Sequence, residues 1–356
     1  MTARPSPQFT LKSGQPSRSI TPRKGTPSTV TVILYKDYVA PSMSSKQSQP
    51  SAPLRRSRSV ELISSDIAGS RHLAADTMWV VDHEVHVLDG AELIIENGAT
   101  ILILNGVVES STLRRAALIF DPGSRLMAAR FSVRAGSPKY RISRTSDNGG
   151  LWFLGTYASG SNDGISVIKK AGQFPSLFQA TSITASYLGR KDPEPGSPEE
   201  ALSEDNYEDD IDGVKLIGVG PDEWQVSQLR SLHSGDDGFD LTNSHIRINR
   251  LEIRKPTEDG LNVSSSRIEI RRSLILDLEK TSYTDRDLFD LETDDGASFV
   301  ELPRGCWVRL NGVFGDELIL SSKDMAAPDV SDDNETAYYF SGKLKADALV
   351  FSISED

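Results

Sequence analysis

Three stretches of the chain repeat one another at an interval of 22 residues, beginning at Trp224, Ile246 and Ile268. Set in columns, Val226 aligns with Ile248 and Ile270, Phe239 with Leu261, Leu241 with Val263, and Asp237-Gly238 with Asp259-Gly260. The columns between them are mostly polar. Alternation of period two inside a longer fixed period means short strands separated by turns, each unit lying on the last. A unit this small cannot bury its own apolar side, so it must stack and the core must grow as a column. The pattern predicts an all-β chain, a right-handed parallel β-helix solenoid. An antiparallel sandwich also has short alternating strands but does not require column-by-column matching, and a propeller blade would repeat at about 40 to 45 residues.

The same texture begins near Trp79. Turn dipeptides fall at Asp89-Gly90, Asn97-Gly98 and Asn105-Gly106, eight residues apart, where glycine admits the positive φ of a tight corner. Beyond residue 275 the spacing loosens. Asp287, Phe289 and Leu291 match Asp237, Phe239 and Leu241 after a six-residue insertion, and Asp316, Leu318 and Leu320 match again 29 residues later. Residues 1–65 are expected to be a disordered, basic, Ser/Pro-rich arm, with Thr29–Val39 as an isolated strand. Residues 66–325 form the predicted stack, interrupted by an acidic excursion at 190–212. Residues 326–356, strand-like over Leu344–Ile353, are expected to cap it. Outward columns such as Asp240, Asn262, Asp290 and Arg247, Glu269 would make regular polar rows on flat faces, a surface suited to elongated ligands.

Charge separates the arm from the body. Residues 1–59 hold ten Lys/Arg and the single acid Asp37, so the rest of this chain of net charge −12 lies near −21. An acidic body argues against nucleic acid as the main partner. The one cysteine, Cys306, excludes an intrachain disulfide. No apolar run is long enough to be a transmembrane segment, and no signal peptide is visible.

Asp212-Gly213-Val214, followed by Ser234-Gly235-Asp236-Asp237-Gly238-Phe239, resembles the polygalacturonase-like branch of the pectin-lyase-like β-helices. That family carries one aspartate on one coil and an Asp-Asp pair on the next. The resemblance implies inverting hydrolysis of a glycosidic bond, with Asp212, Asp236 and Asp237 as the catalytic carboxylates. His233, Asp240, Asn262, Arg254 and Lys255 are the residues expected to bind substrate. Two departures stand out. Where the family has a Gly-His-Gly this chain has Thr257-Glu258-Asp259-Gly260, and Arg254-Lys255 falls earlier than the family's basic pair. Asp-Gly also recurs at residues 163, 212, 237 and 259, as a solenoid corner would require. The coils of Val87–Gly106 and Leu118–Gly136 are similar to repeats of bacterial surface and secreted β-helix proteins, which implies an adhesive or structural role at the cell surface or outside it.

No nucleotide-binding loop, dinucleotide fingerprint or serine elbow is present. His83 and His86, three apart on a strand, point to opposite faces, so no metal site is expected there, and no cofactor elsewhere. The leading expectation is therefore a non-enzymatic extracellular or surface scaffold that binds a polysaccharide or cell-surface glycan. The alternatives are an inverting polysaccharide hydrolase and a self-associating fibre or spike component.

Overall fold

The computed structural model describes residues 59–104, 107–109, 112–114, 116–145, 149–157, 173–190, 211–278, 288–290, 292, 298–303, 306–311, 344–346 and 351–354. The protein is all-β, and the described strands form a fifteen-stranded sheet, a seven-stranded sheet and one hairpin. The larger sheet holds two parallel ladders, joined where the long strands Arg125–Gly136, Leu177–Ser186, His245–Arg254 and Arg267–Asp277 run through both. Their first halves continue a ladder that starts at Ser70–Leu73 and Glu92–Ile95. Their second halves continue one that starts at Ser59–Leu62, Thr77–Val81 and Ala99–Leu104. The smaller sheet is a third parallel ladder: Glu84–Val87, Ala117–Phe120, Gly150–Leu154, Val214–Ile217, Asp240–Thr242, Leu261–Ser264 and Phe289–Asp290. The chain visits the first, second and third ladders in turn, again and again. Among the described residues, antiparallel pairing is confined to the hairpin of Val107–Glu109 and Thr112–Arg114 and to single bridges at Gly136–Ile142 and Arg190–Ile211.

The register keeps the 22-residue interval. Ile246 pairs with Ile268, Ile248 with Ile270, Leu229 with Leu251 and Leu241 with Val263. One extra residue enters between Ile248 and Arg250 and moves the interval to 23, since Leu251 pairs with Leu274. The six-residue insertion is absorbed between strands, because Leu261 pairs with Phe289 and Asn262 with Asp290. Asp287 and Leu291, and the repeat proposed at Asp316, lie outside the described residues.

Every second residue points into one continuous column of core, in which Leu118, Leu151, Val214, Leu241 and Val263 are fully buried. Phe120 and Phe153 stack at 5.0 Å in its middle, with Phe178 and Trp224 edge-on to Phe153. At about 25 cal/mol per Å² of apolar surface removed from water, this column is the main source of stability.

Two expectations change. Ser59–Leu62, counted with the arm, is a strand in register with Thr77–Val80, and Ile63 is buried, so the ordered body begins before residue 66. Residues 1–58 lie outside the described residues, as does most of 326–356. Leu344–Ala346 and Phe351–Ser354 extend the parallel ladders from Val300–Leu302 and Val308–Asn311. The outer side of the small sheet is also not a solvated flat face. Ala117, Ile119, Leu154 and Ile217 form a second apolar cluster there with Trp152, and Asp240 beside them is buried.

Glycine serves two purposes. At Asp89-Gly90 and Asn97-Gly98 it takes φ of 77° and 89°, as expected. At Asp237-Gly238 it is needed for closeness. A Cβ on Gly238 would sit 2.4 Å from the Gly260 carbonyl oxygen and 2.2 Å from Ile253 Cγ2. The left-handed corners fall instead on Tyr187, His233 and Lys255 (φ 58°, 56° and 54°) and on Asn243 and Ser265 (φ 49° and 47°).

Gly238→Ala is expected to destabilise the protein by about 1–3 kcal/mol or more through overpacking between coils, seen as a lower denaturation midpoint. A second prediction concerns pH. His86 Nδ1 lies 2.7 Å from Asp121 Oδ1, and this hydrogen bond raises the imidazole pKa above its usual value against the opposing effect of burial, with Asp66 and Glu84 adding to the rise. A raised folded-state pKa gives stability that is full below the unfolded value near 6.5 and is lost as pH climbs through the folded value. Melting temperature should therefore fall as pH rises through and above about 6.5, and His86→Gln should flatten that slope.

Candidate functional site

The expected site residues belong to one repeated connection, the passage from the second ladder to the small sheet. It runs through 233–239 on one coil and 255–260 on the next, and coil lies on coil. The His233 amide donates to the Arg254 carbonyl (2.7 Å), the Thr257 amide to the Ser234 carbonyl (3.0 Å) and the Gly238 amide to the Asp259 carbonyl (2.8 Å). The preceding coil enters the same passage at Tyr187. There Gly235 donates to the Leu188 carbonyl, and a bridge between Arg190 and Ile211 closes the base of the acidic excursion. Residues 191–210 of that excursion lie outside the described residues.

The carboxylates gather into two groups. Lys215 Nζ sits 2.7 Å from Asp212 Oδ2 and 3.0 Å from Asp240 Oδ2. In the second group, Asp236, Asp237 and Glu258 each offer an oxygen within 4.8 Å of the others. All four aspartates are between 1 and 8 % exposed. Asp237 Oδ1 also accepts the Asp259 amide at 3.0 Å, so this side chain braces the next corner. Three clustered oxygens are the hard-donor type that suits a divalent cation, though calcium takes about six to eight.

Register explains the arrangement. Lys215 pairs with Asp240 and Asp240 with Asn262. Asp212, Asp237 and Asp259 are therefore equivalent corner positions, and Asp212 stands opposite Asp237 of the Asp-Asp pair. Lys215 is the residue that sequence reasoning missed. Its signal was present, because Asp212-Gly-Val-Lys-Leu superposes on Asp237-Gly-Phe-Asp-Leu and puts a cation directly beside an anion.

The proposed substrate-binding residues divide. The imidazole of His233 stacks on the Tyr187 ring with centroids 4.5 Å apart and planes 1° apart, a contact made by left-handed corners on successive coils. Lys255 holds the same corner on the following coil. Arg254 lies to one side, bonded to Glu252 and Asp277. Burial works against the charge of Glu252, yet the guanidinium groups of Arg230 and Arg254 hold it below the usual carboxylate range. Asp240 and Asn262 lie on the outer side of the small sheet, past the corner. His83 and His86 each have a carboxylate neighbour, Asp82 and Asp121.

Comparison with protein-family models, with curated proteins and with solved structures returned no match. Among the described residues, no helix is long and apolar enough to cross a membrane.

Lys215→Met would leave Asp212 and Asp240 facing each other without their cation. A loss of about 3–5 kcal/mol is expected, since breaking a buried pair strands a charge. Adding Asp212→Asn and Asp240→Asn to Lys215→Met should recover much of that loss in urea denaturation. A triple variant no more stable than Lys215→Met would rule out charge pairing as the role of Lys215.

Proposed function

We propose that the chain is a right-handed parallel β-helix solenoid, acting outside the cell or at its surface as a non-enzymatic scaffold that binds glycan chains along its outer faces. The observation that carries this reading is the parallel, in-register stacking: the chain visits three parallel ladders in order, and paired residues lie on successive coils about 4.8 Å apart. Such a surface repeats its chemistry along one axis, as an extended polysaccharide does. The Tyr187–His233 stack is one example of a side-chain row built this way.

A second reading, an inverting polysaccharide hydrolase, is favoured by the gathering of Asp212, Asp236 and Asp237 with Glu258 and Lys215 at one passage. Against it, Asp212 is ion-paired and Asp237 holds a turn amide. Self-association into a fibre has less support, because it needs only the open ends that any stack of parallel strands possesses.

The readings separate in one experiment. A scaffold retains polysaccharides in pull-down, releases no reducing ends, and keeps its binding in the Asp237→Asn variant. A hydrolase releases reducing ends from polygalacturonate or a related polymer and stops doing so in that variant. Failure to retain any polysaccharide would sink the scaffold reading.

A further inference from the structure

A second side-chain row lies at a different corner, where the chain leaves the small sheet and enters the first ladder. His245, Arg267 and Phe299 are in register on three successive coils, at the first positions of their strands. The backbone fixes them there, because the Arg267 amide donates to the Ser244 carbonyl and the Phe299 amide to the Ser266 carbonyl, both at 2.7 Å. Tyr157 adds a fourth member. Its ring meets the imidazole of His245 edge-on at 6.2 Å, and its amide donates to Gly218. A Cβ on Gly220 would come within 2.8 Å of Tyr157 Cβ, so glycine there makes room for the aromatic side chain. Arg267 lies over the Phe299 ring, 4.6 Å from its centroid.

The row is open to solvent at two of its members, while His245 and Phe299 are half-buried. Tyr157 is 44 % exposed and the Arg267 side chain 41 %. Its charge is close to balanced, with Arg247 and Arg271 sharing Glu269 at 3.3 and 3.1 Å and Arg267 facing Glu301 at 3.4 Å, three cations to two anions. Arg267 Nε is nonetheless buried with no hydrogen-bond partner. Burial, and then the charges of Arg267 and Arg247, lower the His245 pKa, so its imidazole is neutral near pH 7.

We propose that Tyr157, His245, Arg267 and Phe299 form a binding row for an extended neutral hexose polysaccharide. Aromatic faces take the apolar faces of sugar rings, and paired Arg and Glu side chains with a neutral imidazole donate to and accept from hydroxyls. Balanced charge, on a body of strongly negative net charge, favours a neutral polymer over a uronate one. The coil-to-coil distance of about 4.8 Å is close to the length of one sugar in an extended chain. This inference rests on the glycan-binding reading and names the site and substrate class for it.

The test uses the full chain and immobilised neutral glucan, mannan and galactan, with polygalacturonate alongside. Retention on at least one neutral polymer is expected, with about a tenfold loss for Tyr157→Ala and for Arg267→Gln. Both variants should melt near the wild-type temperature, and Tyr157 is exposed enough for its truncation to leave the fold intact. His72→Ala, an exposed side chain near the start of the first ladder, should bind as the wild type does. Undiminished binding in both row variants overturns the row and leaves glycan binding standing. Retention on polygalacturonate alone overturns the neutral class, and retention on nothing overturns both the row and the reading beneath it.

Discussion

Close approach of one coil to the next is the constraint on which the rest of this molecule depends. Parallel pairing brings each backbone stretch against its equivalent, with no helix or loop between. Whatever occupies a position must therefore tolerate a near copy of itself above and below. Aliphatic residues do this by nesting, as Ile246 does with Ile268 and Leu241 with Val263. At the tightest corner only the absence of a side chain suffices, which is why glycine follows aspartate at Gly213, Gly238 and Gly260. Charged residues on the strands do it by alternating in sign, as Lys215 does with Asp240 on the small sheet and Arg230 with Glu252 on the large one, while the corner column of Asp212, Asp237 and Asp259 sets acid over acid.

The aspartates beside those glycines show how far a motif can be ambiguous. An Asp on one coil and an Asp-Asp pair on the next is a catalytic arrangement in one family of parallel β-helices. Here the same residues also carry structural duties, one held by a lysine and one by a turn amide. Buried carboxylates need such partners whether or not they do chemistry.

The ladders were legible because a repeat is a statement about contacts. Columns drawn at 22 residues predicted the partners of Ile246, Ile248, Leu241 and Arg247, and the six-residue insertion before Phe289 was also visible. The corners were less legible. Left-handed backbone fell on Tyr187, His233 and Lys255, residue types that do not announce it, because the coils on either side impose the geometry. Burial on the outer side of the small sheet was hidden for a related reason. Ala117, Ile119, Leu154 and Ile217 are apolar on the face that alternation assigns to solvent, and alternation is blind to a second core. Asp240 was placed in the right column but in the wrong medium. The strand Ser59–Leu62 was missed because four polar-flanked residues carry too little pattern to stand out from a Ser/Pro-rich stretch.

The bridge between Arg190 and Ile211 has a consequence beyond its own hydrogen bond. It cinches the two stems of a detour shut before the chain rejoins the ladders. Lineages could lengthen, shorten or exchange what lies between those stems, even for a folded module, without altering the pitch of the stack. New chemistry can be hung there while the spine of the molecule is inherited unchanged.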